Sequence, residues 1–458
     1  MQTTTLAEIA AATRGRVVAA DPAAPVTGIA YDSRRVAPGD LFVALNGEGR
    51  DGHDFAPSAI GAGAVAVLAS RPLEVPAVVV DDPLTALGEL ARAHIGGLPD
   101  LDVIALTGSS GKTSTKDLIA QVLEHAAPTV YTEGSFNNEI GLPLTALEAT
   151  GATRHLVLEM GARGQGHITY LTRITPPRIG VVLNVGTAHA GEFGGPDMTA
   201  KAKGELVEAL PAAADGGVAV LNADDVRVAA MADRTGARVV TFGMDRSARV
   251  HASDVALNEL GRASFTLHTP DGDARVVLQV VGEHQVSNAL AAAAVAEAVG
   301  METEEIANAL SAAVPLSEGR MRVTTRPDGV TVVNDAYNAN TDSVSAALRA
   351  LAHLGRDTRG RTFALLGEMR ELGAGSAEEH RKVGALAAEL GVDVVAAVGT
   401  DEARALAQGY GPEALVLPDK AAARAWLGEC RFTEGDVVLV KGANSLRLGE
   451  LADALAAT

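Results

Sequence analysis

Between Leu106 and Ser114 the chain reads Leu-Thr-Gly-Ser-Ser-Gly-Lys-Thr-Ser. Gly108 and Gly111 allow the backbone N–H groups around Ser109 and Ser110 to converge on phosphate oxygens at the start of a helix. Lys112 supplies a cation for the terminal phosphates, the Thr113 hydroxyl can ligate Mg²⁺, and Ser114 continues into the helix. The usual phosphate-loop pattern has a further glycine where this chain has Leu106, so the loop is a shortened variant. A Gly/Ser-rich helix cap is the plainer alternative. The setting favours nucleotide binding, because an apolar strand, Val103–Leu106, precedes the loop and Leu118, Ile119, Val122 and Leu123 follow at helical spacing.

Two further residue types could complete such a site. The apolar run from His155 to Leu158 ends in Glu159, which puts a carboxylate at the C-terminal end of a parallel strand, where open α/β sheets bind ligands. A carboxylate there suits Mg²⁺, although a cap or ion pair is the commoner use of a lone strand-end glutamate. Asn184 ends the next strand and His189 lies in the loop after it. A single histidine is more often a hydrogen-bonded side chain than a metal ligand.

The elements that must position these residues follow an α/β alternation. Residues 1–97 read as a small unit with strands at Ile29–Asp32, Asp40–Leu45, Ala64–Leu68 and Ala77–Val80, then a helix from Pro83 to about Ile95. Residues 98–314 contain apolar strands at Val103–Leu106, Thr129–Tyr131, Leu156–Leu158, Ile179–Leu183, Val218–Leu221 and Val239–Phe242, separated by helices. That pattern implies a parallel sheet covered on both faces. Alternating segments near Arg249–His251, Ser264–His268 and Arg275–Val280 predict an antiparallel appendage, and a helix follows over about His284–Val299. Residues 315–458 restart the alternation with strands at Val330–Asn334, Thr362–Leu366, Val394–Val398 and Val437–Val440. The expected fold is therefore three α/β domains: a small N-terminal unit, a central parallel-sheet phosphate-loop domain and a C-terminal Rossmann-like domain.

Composition narrows the function. The 458 residues carry 38 Lys and Arg against 57 Asp and Glu, a formal charge of −19. Such a field disfavours nucleic acid and anionic membrane as partners but leaves room for an acidic small substrate. Only one cysteine, Cys430, is present, which excludes an internal disulfide. No apolar stretch reaches the ~18 residues of a membrane span. The N-terminal segment lacks a secretory pattern, so a cytoplasmic protein is expected. Trp426, in a helix among apolar neighbours, reads as core, and Arg35 as solvent-facing.

With these residues in view, the chain resembles the Mur ligases, the ATP-dependent amide-bond-forming enzymes of peptidoglycan assembly. The resemblance rests on Asp32-Ser33-Arg34, Pro38 to Leu45, Asp51 to Phe55, Leu106 to Ser114, Ser135 to Pro143 and Glu159 to Ala162. It continues through Ala200 to Glu205 and Gly282 to Leu290. Asp335-Ala336-Tyr337-Asn338-Ala339-Asn340 and Leu366 to Gly373 are most similar to the branch that adds D-alanyl-D-alanine to UDP-N-acetylmuramoyl-tripeptide. Thr341, Asn334 and Ala443-Asn444 depart from the pattern, where proline, an acid and Ser-Arg are usual.

The resemblance implies ATP on Gly108–Ser114, with Asn288, Arg320, Asp335, Tyr337 and Asn338 also contacting the nucleotide. It implies two Mg²⁺ ions, one held by Thr113 and Glu159, the other by Glu159, His189 and a carbamylated Lys203. Lys112, Glu159, His189 and Lys203 form the implied catalytic set. Ser33, Arg34, Asn46, Asp51, His53, Asn137 and Asn138 are the implied substrate side. The expected substrates are UDP-N-acetylmuramoyl-tripeptide and D-alanyl-D-alanine, acted on by a monomer. Lys203 is preferred to Lys201 for the carbamate because Gly204-Glu205-Leu206 follows it. The rival readings are another Mur-type or folate polyglutamylating ligase, and a nucleotide switch without ligation. The Tyr337–Asn340 loop argues against the first, the Glu159, His189 and Lys203 set against the second.

Overall fold

The computed structural model describes residues 1–47, 49–186, 195–356 and 358–458. The chain forms two compact units, Met1–Ala105 with Ala127–Gly161 and Ile168–Arg178, and Leu106–Ala126 with Ala162–His167 and Ile179–Thr458. Both are mixed α/β and built on parallel sheets, as expected.

In the first unit a five-stranded sheet runs Arg16–Val18, Ala77–Val79, Ala66–Ala69, Asp40–Val43, Gly28–Ala30. All neighbours are parallel except the first pair. The central strands are apolar on both faces because both are covered; Leu41, Phe42, Val43, Val67 and Leu68 are each at most 1% exposed. The helix Leu6–Ala12 is invisible to a search for long periodicity. It is set instead by a capping box in which the Thr5 side chain and Glu8 satisfy each other's backbone N–H groups. The same unit carries, in order, the first four residues of the strand Asp102–Thr107 and the strands His155–Glu159 and Thr129–Tyr131. The helix Pro83–Gly96 packs closely on the last segment of the unit, and a Cβ at Gly88 would lie 3.2 Å from Ile174.

In the second unit six strands follow one another as Ile179–Val182, Val218–Asn222, Arg238–Gly243, Val250–Leu257, Arg262–Thr269 and Gly272–Val281. The last three were expected as an antiparallel appendage, and they do pair antiparallel with one another. Val250–Leu257 also continues the parallel sheet: it pairs parallel with Arg238–Gly243 through Phe242–Val250 and Gly243–His251. A short connection suffices because the second strand begins beside the end of the first, so no crossover is needed. The helix Gln285–Ala298 is buried almost all round, which its alanines permit by allowing close approach.

The C-terminal sheet has the order Arg322–Thr325, Thr331–Asn334, Val437–Lys441, Thr362–Gly367, Val394–Val398, Leu415–Leu417. Only the edge strand Arg322–Thr325 is antiparallel. Trp426 packs against the apolar cluster on one face of this sheet, as expected. Among the described residues no helix is long and apolar enough to cross a membrane.

Candidate active site

The phosphate-loop segment joins the strand Asp102–Thr107 to the helix Lys112–Glu124. Gly111 is the N-cap at φ +79°, and an added Cβ would lie 2.7 Å from Asn288 Oδ1. Glycine is therefore required twice, for the left-handed backbone and for the approach of Asn288. Asn288 also accepts a hydrogen bond from Thr115 Oγ1 at 3.1 Å and donates to Gln285 Oε1 at 2.8 Å. Lys112 Nζ donates to the Gly108 carbonyl at 2.9 Å, which folds the ammonium back over the loop.

Asn184, placed by sequence at a strand end but given no role, holds the loop. Its Oδ1 accepts from the N–H groups of Ser109 and Ser110, both at 2.9 Å, and its Nδ2 donates to the Ser110 carbonyl at 3.1 Å. The Ser109 N–H also faces the Asn184 carbonyl at 3.1 Å. The signal for it was an amide side chain ending the parallel strand after Glu159's. Ser109 Oγ and Thr107 Oγ1 are buried without a hydrogen-bond partner among the described residues. Such atoms are costly in an empty pocket and suited to a polar ligand.

Residues far along the chain reach the same loop. Asn340 Nδ2 donates to the Ser109 carbonyl at 3.3 Å, while its Oδ1 caps the helix Thr341–Gly355 through Ser343 N–H. Arg320 Nη2 donates to Thr113 Oγ1 at 3.1 Å, and the guanidinium lies 4.4 Å from the Tyr337 ring centre. Asp335, 7% exposed, accepts from Met321 N–H at 3.0 Å and from Lys441 Nζ at 2.6 Å. Lys441 also donates to the Asn338 carbonyl at 2.9 Å. Burial lowers the Lys441 pKa, against the opposing pull of Asp335. The Asn338 side chain itself is exposed and accepts its neighbour's N–H, from Ala339, at 2.9 Å. Lys441 was absent from the sequence-derived set; a lysine ending an apolar central strand was the available signal.

Lys203 is 3% exposed on the helix Pro196–Glu208, while Lys201 two residues earlier is exposed. Burial, and then the positive charge of Lys112, push the Lys203 pKa well below the ordinary lysine value. Gly204 follows because the Arg234 guanidinium occupies the space of a Cβ there. That guanidinium ties the helix down through the carbonyls of Ala200 and Lys201 at 3.0 and 2.9 Å and through Glu208 at 2.9 Å.

The first unit holds the remaining predicted residues. Glu159 is 1% exposed; Asn137 Nδ2 donates to its Oε1 at 2.7 Å, and its N–H faces Thr132 Oγ1 at 3.4 Å. The Asn138 side chain caps the helix Gly141–Glu148 by accepting from Ile140 and Gly141 N–H at 3.2 and 3.0 Å. His53 is buried, and both ring nitrogens are engaged. Nε2 accepts from Ser70 N–H at 3.0 Å, so Nδ1 carries the proton given to Asp51 Oδ1 at 2.6 Å. His53 thus braces the loop from beneath. The Asp51 carboxyl is lowered to about 2, chiefly by the His53 backbone N–H. Arg34 pairs with Asp32 at 2.6 Å and lowers that carboxyl to about 2. Ser33 is half-buried and Asn46 exposed. A cavity of about 310 Å³ lies beside them, lined among others by Tyr31, Asp32, Arg35, Glu133 and Phe136. Arg35, expected to face solvent, is exposed but lines this cavity. His189 lies outside the described residues.

One arrangement resembles a catalytic triad without being one. Ser253 Oγ lies 2.8 Å from His268 Nε2, and His268 Nδ1 lies 2.6 Å from Asp273. Ser253, however, donates its proton to Asp254 Oδ2 at 2.8 Å, the wrong direction for a nucleophile handing its proton to a base.

Three family profiles match in series along the chain. "Mur ligase family, catalytic domain" covers residues 25–105, "Mur ligase middle domain" 106–296, and "Mur ligase, glutamate ligase domain" 319–444. The chain is 48% identical to the UDP-N-acetylmuramoyl-tripeptide–D-alanyl-D-alanine ligase of Mycobacterium tuberculosis, over 94% of this chain and 92% of that protein. Its structure is similar to crystal structure I of MurF from Acinetobacter baumannii, with a TM-score of 0.90, 32% identity and full coverage of both chains. It is also similar to the MurF ligase of Thermotoga maritima in complex with ADP, with a TM-score of 0.81 and 30% identity over 94% of this chain and 97% of that one. A phosphate loop braced by a C-terminal domain, on a three-domain α/β fold matched from end to end, places this chain in the Mur ligase family.

Proposed function

We propose that this chain joins D-alanyl-D-alanine to UDP-N-acetylmuramoyl-tripeptide at the expense of ATP, giving the pentapeptide, ADP and phosphate. The observation that carries the reading is the phosphate loop Gly108–Ser114, contacted by Asn288, Arg320 and Asn340 from later in the chain. The near full-length likeness to ligases of that name specifies the substrates. The domains are read as 1–97 for the UDP-substrate, 98–314 for ATP and 315–458 for closing the nucleotide site. The protein is read as a cytoplasmic monomer.

A carboxylate is a poor electrophile, so ligation needs activation. The tripeptide's terminal carboxylate oxygen attacks the γ-phosphorus, the bond to the β-bridging oxygen breaks, and an acyl phosphate and ADP form. The dipeptide amine then adds to the acyl carbon, loses a proton, and phosphate leaves. Lys112 screens the charge that moves onto phosphate oxygens in the first step. Arg320 lies one hydrogen bond from Thr113 and is placed to follow the same phosphates. Asp335 is fixed by Lys441 and assigned to the nucleotide with Tyr337 and Asn338.

The buried Thr113 hydroxyl and the buried Glu159 carboxylate, held by Asn137, are oxygen donors of the kind Mg²⁺ prefers. Lys203 as a carbamate adds a third oxygen donor, and His189 is assigned with it. Bound Mg²⁺ would screen charge between carboxylate, phosphate and amine. Lys203 suits carbamate formation because burial and the charge of Lys112 lower its pKa and so favour the neutral amine: nitrogen bonds to the carbon of CO₂ and releases a proton. Ser33, Arg34, Asn46 and Asp51 are assigned to the UDP-sugar end near the first-unit cavity, with His53 supporting them and Asn137 and Asn138 shaping the approach.

The test is phosphate release from ATP with UDP-muramoyl-tripeptides, with and without D-alanyl-D-alanine. Release that requires both is expected, and Lys112→Ala should reduce it by about a thousandfold while the fold persists. Equal release without the dipeptide, or near-normal turnover by Lys112→Ala, would overturn the reading.

A further inference from the structure

The segment that leads into the C-terminal domain is fastened along the phosphate-loop helix at regular intervals. Gln121 holds Val314 by both backbone groups: Val314 N–H donates to Oε1 at 2.9 Å, and Nε2 donates to the Val314 carbonyl at 3.0 Å. The same Nε2 donates to the Asp117 carbonyl at 3.0 Å, which steadies the amide. Asp117 Oδ2 accepts from Ser317 N–H at 3.2 Å. Arg320 closes the series on Thr113 Oγ1 at 3.1 Å. Helix positions 121, 117 and 113 thus meet segment positions 314, 317 and 320. Each step of four helix residues rises ~6 Å, a distance that three residues of connecting chain span without being fully extended.

Hydrophobic burial does not hold this segment. Val314 is 48% exposed and Leu316 is 42% exposed. Its register along the helix therefore depends on the polar rungs. That register decides where Arg320 arrives, because Gly319, at φ +65° and with the place of a Cβ 3.1 Å from Tyr337 N, turns the chain immediately before it.

We propose that Gln121, with Asp117, is a positioning residue for phosphoryl transfer: it sets the register of segment 314–320 so that Arg320 is presented at the phosphate loop. Neither side chain touches the nucleotide in this account. Both act through Arg320, and the proposal rests on the ligase reading above. A helix that starts at the phosphates is then also the ruler against which the next domain is aligned.

A double-mutant cycle tests this. Gln121→Ala is the probe, since Asp117 is also paired with the buried Lys116 at 2.6 Å and its removal would break that ion pair as well. Turnover and Mg·ATP affinity are measured on the full chain for wild type, Gln121→Ala, Arg320→Ala and the double variant, with melting temperatures as a check on folding. Gln121→Ala should lose about tenfold in kcat, the effect of one to two hydrogen bonds, with the KM for the UDP-substrate changed less than about twofold. In the Arg320→Ala background the same substitution should cost less than about twofold on both measures. Equal factors in the two backgrounds would overturn the proposal and leave Gln121 as a stabilising residue only. If wild type releases no phosphate in response to the dipeptide, the ligase reading fails by itself, and the cycle is still decided on Mg·ATP affinity.

Discussion

Lys203 and Lys201 are two residues apart, yet the helix buries one and exposes the other. Lys203→Ala should lower turnover on the order of a hundredfold, and added formate or acetate should restore part of it by replacing the carbamate's oxygens. Lys201→Ala should stay within about twofold of wild type. The reverse outcome would move the assignment by two positions, and two active variants would remove the carbamate from the mechanism. Lys203 was legible only through its neighbours in Ala-Lys-Gly-Glu, because a single lysine in sequence carries no mark of burial. Asn184 and Lys441 show the same limit. Both act by where strand ends meet other loops, and strand order is what brings them there. His53 shows the converse: a motif residue whose two ring nitrogens are both engaged within the fold, which sequence does not reveal.

Elements were read more reliably when they were apolar and long. The strand Val394–Val398 has the expected limits, since a buried parallel strand leaves a continuous apolar run; the short, half-buried edge strand Thr129–Tyr131 has them as well. The helix Asp401–Tyr410, the edge strands Arg322–Thr325 and Leu415–Leu417, and the helix Leu6–Ala12 were not read. They are short or half-exposed, so their patterns are weak, and caps and neighbours decide them. At the phosphate-loop helix the local requirement is sharp. Gly111→Ala must place a Cβ at positive φ within 2.7 Å of Asn288. The variant should lose about 1–2 kcal/mol of stability and at least tenfold in nucleotide affinity, read by thermal melting and ATP titration. An unchanged melting temperature with unchanged affinity would mean the loop has a second acceptable conformation.

At the scale of the molecule, the two compact units interleave along the chain, so neither is a contiguous stretch. The N-terminal five-stranded sheet looks separable at residue 97, but the helix before that point is covered by later residues of its own unit. Gly88 abuts Ile174, His94 Nε2 lies 2.8 Å from the Ala149 carbonyl, and Arg92 donates to the Arg173 carbonyl. A 1–97 fragment should therefore expose an apolar helix face, bind a hydrophobic dye and melt below the first transition of the whole chain. A fragment 1–97 that is dye-silent and equally stable would establish it as an independent domain.

The strand Val437–Lys441 lies between Thr331–Asn334 and Thr362–Gly367, although it is made after both. On a ribosome adding roughly 5–20 residues per second, its two neighbours wait on the order of ten seconds for the strand that joins them. During that interval the C-terminal sheet has a gap at its centre and two unpaired inner edges, the surfaces most prone to wrong pairing. A message broken shortly before codon 437 yields a chain with its phosphate loop intact but its last domain unzipped. Closure of this sheet is thus all-or-none in chain length: a product that stops short of Val437 keeps both inner edges unpaired, and one that runs through Lys441 can satisfy them together.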